Sequence, residues 1–341
     1  MPEIGEGKSG HLTRRGFVQV IGAAAATLAV GRCSPEGKAL GFAGRRGTRT
    51  TFITPNGDFY LVAVDPSFTP QFGLDTVERD WRLALEGPGG ARQDLSYGML
   101  RGLPSWKVFK TFECIGNDVG GDLIGNAEWR VVPLKTLLEP LRTAGVHSVR
   151  FEALDDFYSS VSAARAFDDQ AFLAYEMNGE PLPAEHGFPA RVLLPDLYGM
   201  KQPRWLKRIV LHETSATTSF WEVRGWAGEV PVKTMSRLDR STIAPNVDKE
   251  LSGIAYAGSR GITAVEVSLD GGTTWEPCRL ATGAAANVWS LWTYTWRSPT
   301  KGRYRVLVRA TDGRGERQTA VEQGAYPDGA SGYHALSFKV G

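Results

Sequence analysis

TFECIGNDVGG (Thr111–Gly121), followed closely by GNAEW (Gly125–Trp129), reads as a strand that exits into a tight, glycine-rich loop with a cysteine at its head. Glycines at such an exit let a bulky group approach the backbone. A deprotonated Cys114 would be a soft donor suited to a transition metal. Spacing alone does not decide the matter, because an inert cysteine beside a glycine-rich loop is common. The rest of the cysteine inventory narrows it. Cys33, Cys114 and Cys278 cannot all pair, and no CxxC or Cys/His cluster offers a structural zinc site. No CxxCH occurs either, so no c-type haem is expected to be covalently attached.

Away from this loop the chain has ordinary globular composition: 341 residues, 42% apolar and 22% charged, enough for two domains. A formal charge of +2 without a polybasic run argues against nucleic acid and against a membrane surface as partner. Forty glycines, nineteen prolines and ten tryptophans predict a turn-rich body with many strands.

Between Thr50 and about Arg240, strand-like and helix-like pieces mix. Phe59–Val64 reads as a buried strand. Val132–Leu141 reads as a helix opened by Pro133, with Leu134, Leu137, Leu138 and Leu141 at helical spacing. Val146–Leu154, Arg191–Leu194 and Arg208–His212 read as strands. No glycine-rich turn of a dinucleotide fold is present, which leaves an α+β domain. Past Pro245 the texture changes. Ile262–Leu269 alternates cleanly and runs into Asp270-Gly271-Gly272; Trp289–Trp296 and Tyr304–Ala310 alternate too. About a hundred residues of short strands describe a β-sandwich, with the boundary expected near Ser241–Asp248.

TRRGFV (Thr13–Val18) ahead of VIGAAAATLAV (Val20–Val30) is the pattern of a twin-arginine export signal. The apolar run is too short to span a membrane. This predicts a signal over residues 1–33, a linker over 34–49 and a periplasmic, exported protein. Cys33 is a candidate lipid anchor, although Gly31-Arg32 before it makes a poor lipobox.

Taken together, the motifs resemble one family. TFECIGNDVGG…GNAEW looks like the molybdenum-ligand loop of the sulfite-oxidase superfamily. LAYEMNGEPLP (Leu173–Pro183), HGFPAR (His186–Arg191), LYGMK (Leu197–Lys201) with Arg204-Trp205-Leu206, and VKTMSR (Val232–Arg237) are similar to it in the same order. VEVSLDGGTTWEPCRL (Val265–Leu280), Arg309–Gly313 and Gly332–His334 resemble its Ig-like dimerisation domain. The resemblance implies an α+β fold: a sulfite-oxidase-type molybdopterin-binding domain over 50–240, then an Ig-like β-sandwich over 241–341. It implies a molybdenum–molybdopterin cofactor with Cys114 as metal ligand, and a cofactor grip from Asn56, Tyr60, Leu61, Asp155, His186, Arg191, Gln202 and Arg204. Trp226 falls where the family has an active-site tyrosine, which gives it a catalytic place beside Cys114. The activity implied is two-electron oxo transfer on a small-molecule substrate by a homodimer, with electrons exchanged with an external carrier such as a cytochrome. His212, His334 and Cys278 are expected to lie outside the site, with Tyr175 and Met177 in the core.

The departures are informative. Sulfite oxidases proper carry an arginine and a histidine where this chain has Val62 and Val64, a second arginine where it has Val119, and a C-terminal-domain arginine near Asp328. These losses predict something other than a dedicated sulfite oxidase. A sulfite dehydrogenase proper and a non-catalytic cofactor-binding scaffold are the alternatives.

Overall fold

Two sheets form the first domain of the computed structural model, which describes residues 39–40, 50–64, 68, 70, 73–215, 218–281 and 285–341. The expected export signal and Cys33 lie outside the described residues. One sheet runs Arg92–Ser96, Arg82–Glu86, Leu206–His212, Ser148–Ala153, Tyr158–Ser162, antiparallel except where Leu206–His212 lies parallel to Arg82–Glu86. The other runs Glu180–Pro181, Phe172–Met177, Ile124–Pro133, Trp106–Glu113, and Arg191–Leu193 also pairs with Phe172–Met177. Their apolar faces enclose one core, with Trp129, Phe151 and Leu134 among its fully buried side chains.

The second domain is a sandwich of two four-stranded sheets. One holds Met235–Leu238, Lys249–Tyr256, Ser290–Trp296 and Arg279–Leu280; the other holds Glu276–Pro277, Ile262–Ser268, Gly302–Asp312 and His334–Val340. A third apolar cluster joins Ile115, Tyr198, Met200 and Trp226 to Val232, Ile254, Tyr256 and Trp289, and so mortises the two domains together.

Several expectations shift. The strand expected over Phe59–Val64 shortens to Leu61–Val62, because Asn56–Asp58 is a 3-10 turn and Phe59 turns inward against Phe112 and Trp129. Leu61–Val62 pairs with Ala39–Leu40, so the stretch expected as linker contributes one strand of a separate two-stranded sheet. Val132 and Pro133 end a strand; the helix is Leu134–Leu138 and tightens to 3-10 over Glu139–Leu141, where Pro140 has no N–H to give. The four leucines are nevertheless all buried, as their spacing predicts. Met235–Leu238 lies before the expected boundary yet already pairs with Lys249–Tyr256, because the connection at 239–248 is an excursion between two sandwich strands. Asp270 receives the N–H groups of Thr273 and Thr274, so the Asp-Gly-Gly signal builds a wider loop than a two-residue hairpin.

Candidate active site

The strand Trp106–Glu113 delivers Cys114 at its end, and Asn117 fixes the loop beyond it. Asn117 donates from Nδ2 to Glu113 at 3.0 Å and accepts the Leu123 N–H at 2.9 Å, while the Cys114 N–H reaches the Leu123 carbonyl at 2.9 Å. A Cβ on Gly121 would sit 2.5 Å from the Asn117 side-chain oxygen, so this position requires glycine. Cys114, half-buried, thus faces a cleft with about 970 Å³ of empty space, part of it open to solvent.

Eight of the ten sequence-predicted site residues line this cleft: Tyr60, Cys114, Asp155, His186, Arg191, Gln202, Arg204 and Trp226. Asn56 and Leu61 do not. Leu61 faces away in its short strand, whereas Asn56 acts at one remove: its carbonyl accepts from His186 Nε2 at 2.8 Å, and its side chain accepts from Asn178 at 2.7 Å. Gln202 lines the cleft, but its amide already bridges the Leu194 N–H and the Leu197 carbonyl. It shapes the wall more than it offers a hand.

Arg191 and Arg204 set the charge. Gly187, at φ 118°, brings both arginine stems within about van der Waals contact of one backbone point; a Cβ there would lie 3.0 Å from Arg204 and 3.2 Å from Arg191. Arg191 donates to the His186 carbonyl and rests over the Phe112 ring at 4.4 Å. Arg204 donates to the carbonyls of Glu185 and Val62. Among the described residues neither closes an ion pair, and Arg191 Nε is buried without a partner. Burial, and then the Arg204 charge, push Arg191 down to about 9; burial pushes Arg204 down to about 10. Both stay cationic at neutral pH. A buried and a half-buried guanidinium, neither closed in an ion pair although Asp155 lies near Arg204, suit an oxyanion of a ligand. Burial, with Cys114 nearby, raises Tyr60 well above the usual phenol range, so it keeps its proton.

His186 is 1% exposed, and burial pulls it down to about 4. With a carbonyl at Nε2, that nitrogen carries the proton and Nδ1 is left as an acceptor. The unfolded chain, titrating near 6.5, takes up this proton first. His186 therefore contributes stability that is complete above pH 6.5 and is lost as pH falls towards 4. The shift corresponds to about 3 kcal/mol. Subtracting the urea-unfolding pH profile of His186→Gln from that of the cofactor-free parent should isolate this fall; parallel profiles would refute it.

The apolar wall carries residues that sequence reasoning missed. Ala63, Ile115, Met200 and Trp221 line the cleft with Val62, Val64 and Trp226. Trp226 is 7% exposed and its Nε1 is buried with no partner, a lone donor on an apolar wall. Ile115 was legible from its place after Cys114; Met200 and Trp221 arrive only through folding. Two expected departures fall elsewhere. Val119 is 37% exposed and outside the cleft, because the Asn117 staple turns the loop tip outward. Asp328 also lies outside it and pairs with Lys233 at 3.1 Å, which neutralises it.

The donor set fits a pterin-bound metal. Among the described residues no group of three His, Cys, Asp or Glu side chains could hold a metal alone, so a metal at Cys114 needs further ligands from its cofactor. Arg191, Arg204 and the His186 acceptor are complementary to the anionic and N–H groups of such a cofactor.

The oxidoreductase molybdopterin-binding domain family matches residues 70–221, and the Mo-co oxidoreductase dimerisation domain family matches residues 229–323. Mitochondrial sulfite oxidase of Rattus norvegicus is 30% identical over 315 residues, 77% of this chain and 56% of that protein. Sulfite oxidase of Gallus gallus is 29% identical over 321 residues, 76% of this chain and 67% of that protein. The chain thus spans between about half and two thirds of the length of these relatives. In fold it is similar to the sulfane dehydrogenase SoxCD of Paracoccus pantotrophus, with TM-score 0.74, 22% identity, and 85% of this chain and 82% of that one covered. The chain belongs to the sulfite-oxidase superfamily of molybdopterin-binding oxidoreductases, and its two domains are that family's cofactor-binding and dimerisation domains.

Proposed function

We propose that this protein is an exported, homodimeric oxidoreductase that performs two-electron oxo transfer on a small uncharged substrate and exchanges electrons with an external carrier such as a cytochrome. The observation that carries this reading is the mixed lining of the cleft: Cys114, two guanidiniums outside any ion pair among the described residues, and valines and tryptophans face the same space. The bound molybdenum–pterin group would supply the redox chemistry. Cys114 would hold the metal, Arg191 and Arg204 the anionic part of the cofactor, and His186 Nδ1 an N–H group of it. Val62, Val64, Trp221 and Trp226 would exclude water and receive the apolar part of the substrate. Asp155 lies near Arg204, whose charge partly offsets the burial that raises it. The twin-arginine pattern supports export, since that route carries proteins already folded around a cofactor. Among the described residues no helix is long and apolar enough to cross a membrane.

Molybdenum analysis, light scattering and a dye-linked assay with organic oxo donors and acceptors test this reading together. One molybdenum per chain, twice the chain mass and turnover are expected. A loaded protein that cycles no electrons with any donor or acceptor would instead be a scaffold.

A further inference from the structure

Lys201 is among the most deeply buried cations of the chain, 1% exposed, and it does not touch the cleft. Its ammonium has three donors, and all three are engaged: the Ser160 carbonyl at 2.7 Å, Ser219 Oγ at 2.9 Å and the Glu222 carboxylate. The same carboxylate accepts the Ser219 N–H at 2.8 Å, and Ser219 Oγ accepts the Ser160 N–H at 2.9 Å. Three chain segments therefore meet at one atom. The first is the 3-10 turn Gly199–Lys201, whose Gly199 and Met200 line the cleft. The second is the strand Tyr158–Ser162. The third is Ser219–Trp226, which brings Trp221 and Trp226 to the cleft through the 3-10 turn Glu222–Arg224.

Nothing in local propensity explains a fully buried lysine. An apolar residue of like volume would avoid the cost of removing the charge from water. What the lysine achieves is registration, because its three bonds have fixed directions where an apolar contact would allow the segment to slide. The far end of the segment is held separately: the Ala227 N–H reaches the Pro327 carbonyl at 2.9 Å, and Tyr326 meets Trp226 edge-on at 5.3 Å. The Phe220 N–H also reaches the Tyr158 carbonyl at 3.1 Å, and Trp226 packs with Ile115 and Met200; the Lys201 linkage is the charged tie between the tryptophan segment and the domain that carries Cys114.

We infer that Lys201, through Glu222 and Ser219, is the positioning residue that sets Trp221 and Trp226 against the cleft and so fixes affinity for the apolar part of the substrate. The substrate arm rests on the oxo-transfer reading above; the arm on cofactor-free protein does not. In cofactor-free Lys201→Met, hydrogen exchange at Val223, Arg224 and Trp226 should accelerate at least tenfold while the strand Trp106–Glu113 keeps its protection. In the loaded enzyme, KM for an uncharged sulfoxide should rise about tenfold with kcat within twofold, the pattern of lost uniform binding. Glu222→Ala leaves the ammonium two of its bonds and should act in the same direction more weakly. The double variant should be no worse than Lys201→Met within twofold, since both remove one linkage. Unchanged exchange over Ser219–Trp226, or faster exchange with unchanged KM, overturns the inference. If Lys201→Met cannot be purified, Glu222→Ala decides by the same two readouts. If the wild-type enzyme turns over no oxo donor or acceptor, the oxo-transfer reading falls, and the exchange measurement alone judges Lys201.

Discussion

Cys114→Ser is expected to abolish dye-linked turnover, by a thousandfold or more, about 4 kcal/mol of lost transition-state stabilisation, while the protein keeps its fold and most of its bound pterin. The two halves of this expectation have separate causes. A serine hydroxyl stays protonated at neutral pH and donates far less electron density than a thiolate, so it would not reproduce the metal's reactivity. The loop, however, does not depend on sulfur for its shape. Its backbone bond from residue 114 to Leu123 and the Asn117 staple survive the change. The proposed cofactor grip also lies elsewhere: His186 and Arg191 reach the cleft from the turn Ala184–His186 and the strand Arg191–Leu193, and Arg204 from just before the strand Leu206–His212. The variant should therefore purify with unfolding behaviour close to wild type and with pterin fluorescence on release. Wild-type activity in the serine variant would remove Cys114 from the metal; loss of pterin together with activity would mean that Cys114 anchors the whole cofactor.

Much of this site was legible because its signals are local. The CIGN loop shows itself by Gly121, which the Asn117 staple requires, and the His186–Arg191 run keeps two cleft residues five positions apart. What sequence could not show was direction. Val119 stands five residues after Cys114 and could face the cleft or the solvent; only the fold of the loop turns it outward. Asp328 is a charge in sequence and half of an ion pair in space, because Lys233, 95 positions earlier, closes on it. Lys201 sits inside a motif noticed for other reasons, yet its three acceptors lie between 18 and 41 positions away. The domain boundary was misplaced for a similar reason. Met235–Leu238 has no alternation long enough to announce a strand, and it becomes one by adding to the edge of Lys249–Tyr256.

Those corrections sharpen the remaining expectation, that sulfite is a poor substrate. The names of the curated relatives make this a demanding test, since several at about 30% identity are sulfite oxidases. Of four positions where the family resemblance implies a lost cation, Val119 and Asp328 lie off the cleft and carry no weight. Val62 and Val64 do line it. An oxyanion at an active site is held by charge-assisted hydrogen bonds, each worth roughly 1.5–3 kcal/mol. A missing arginine contact, with a missing histidine contact counted as an ordinary hydrogen bond of about 0.5–1.5 kcal/mol, amounts to about 2–4.5 kcal/mol, on the order of thirty- to a thousandfold in kcat/KM. Arg191 and Arg204 are poor substitutes, because backbone carbonyls already orient both and a cofactor oxyanion is their natural partner. A dianion would instead face Val62, Val64, Met200 and Trp221, where it leaves water for little in return. An organic sulfoxide or N-oxide loses less on entering, since its apolar groups gain from the same wall. Steady-state kinetics should accordingly give sulfite a kcat/KM about thirtyfold or more below that of the best uncharged substrate in a panel of sulfoxides and N-oxides. Sulfite turnover at or above that best value would show that the valine wall does not select against charge, and the uncharged-substrate reading would be abandoned.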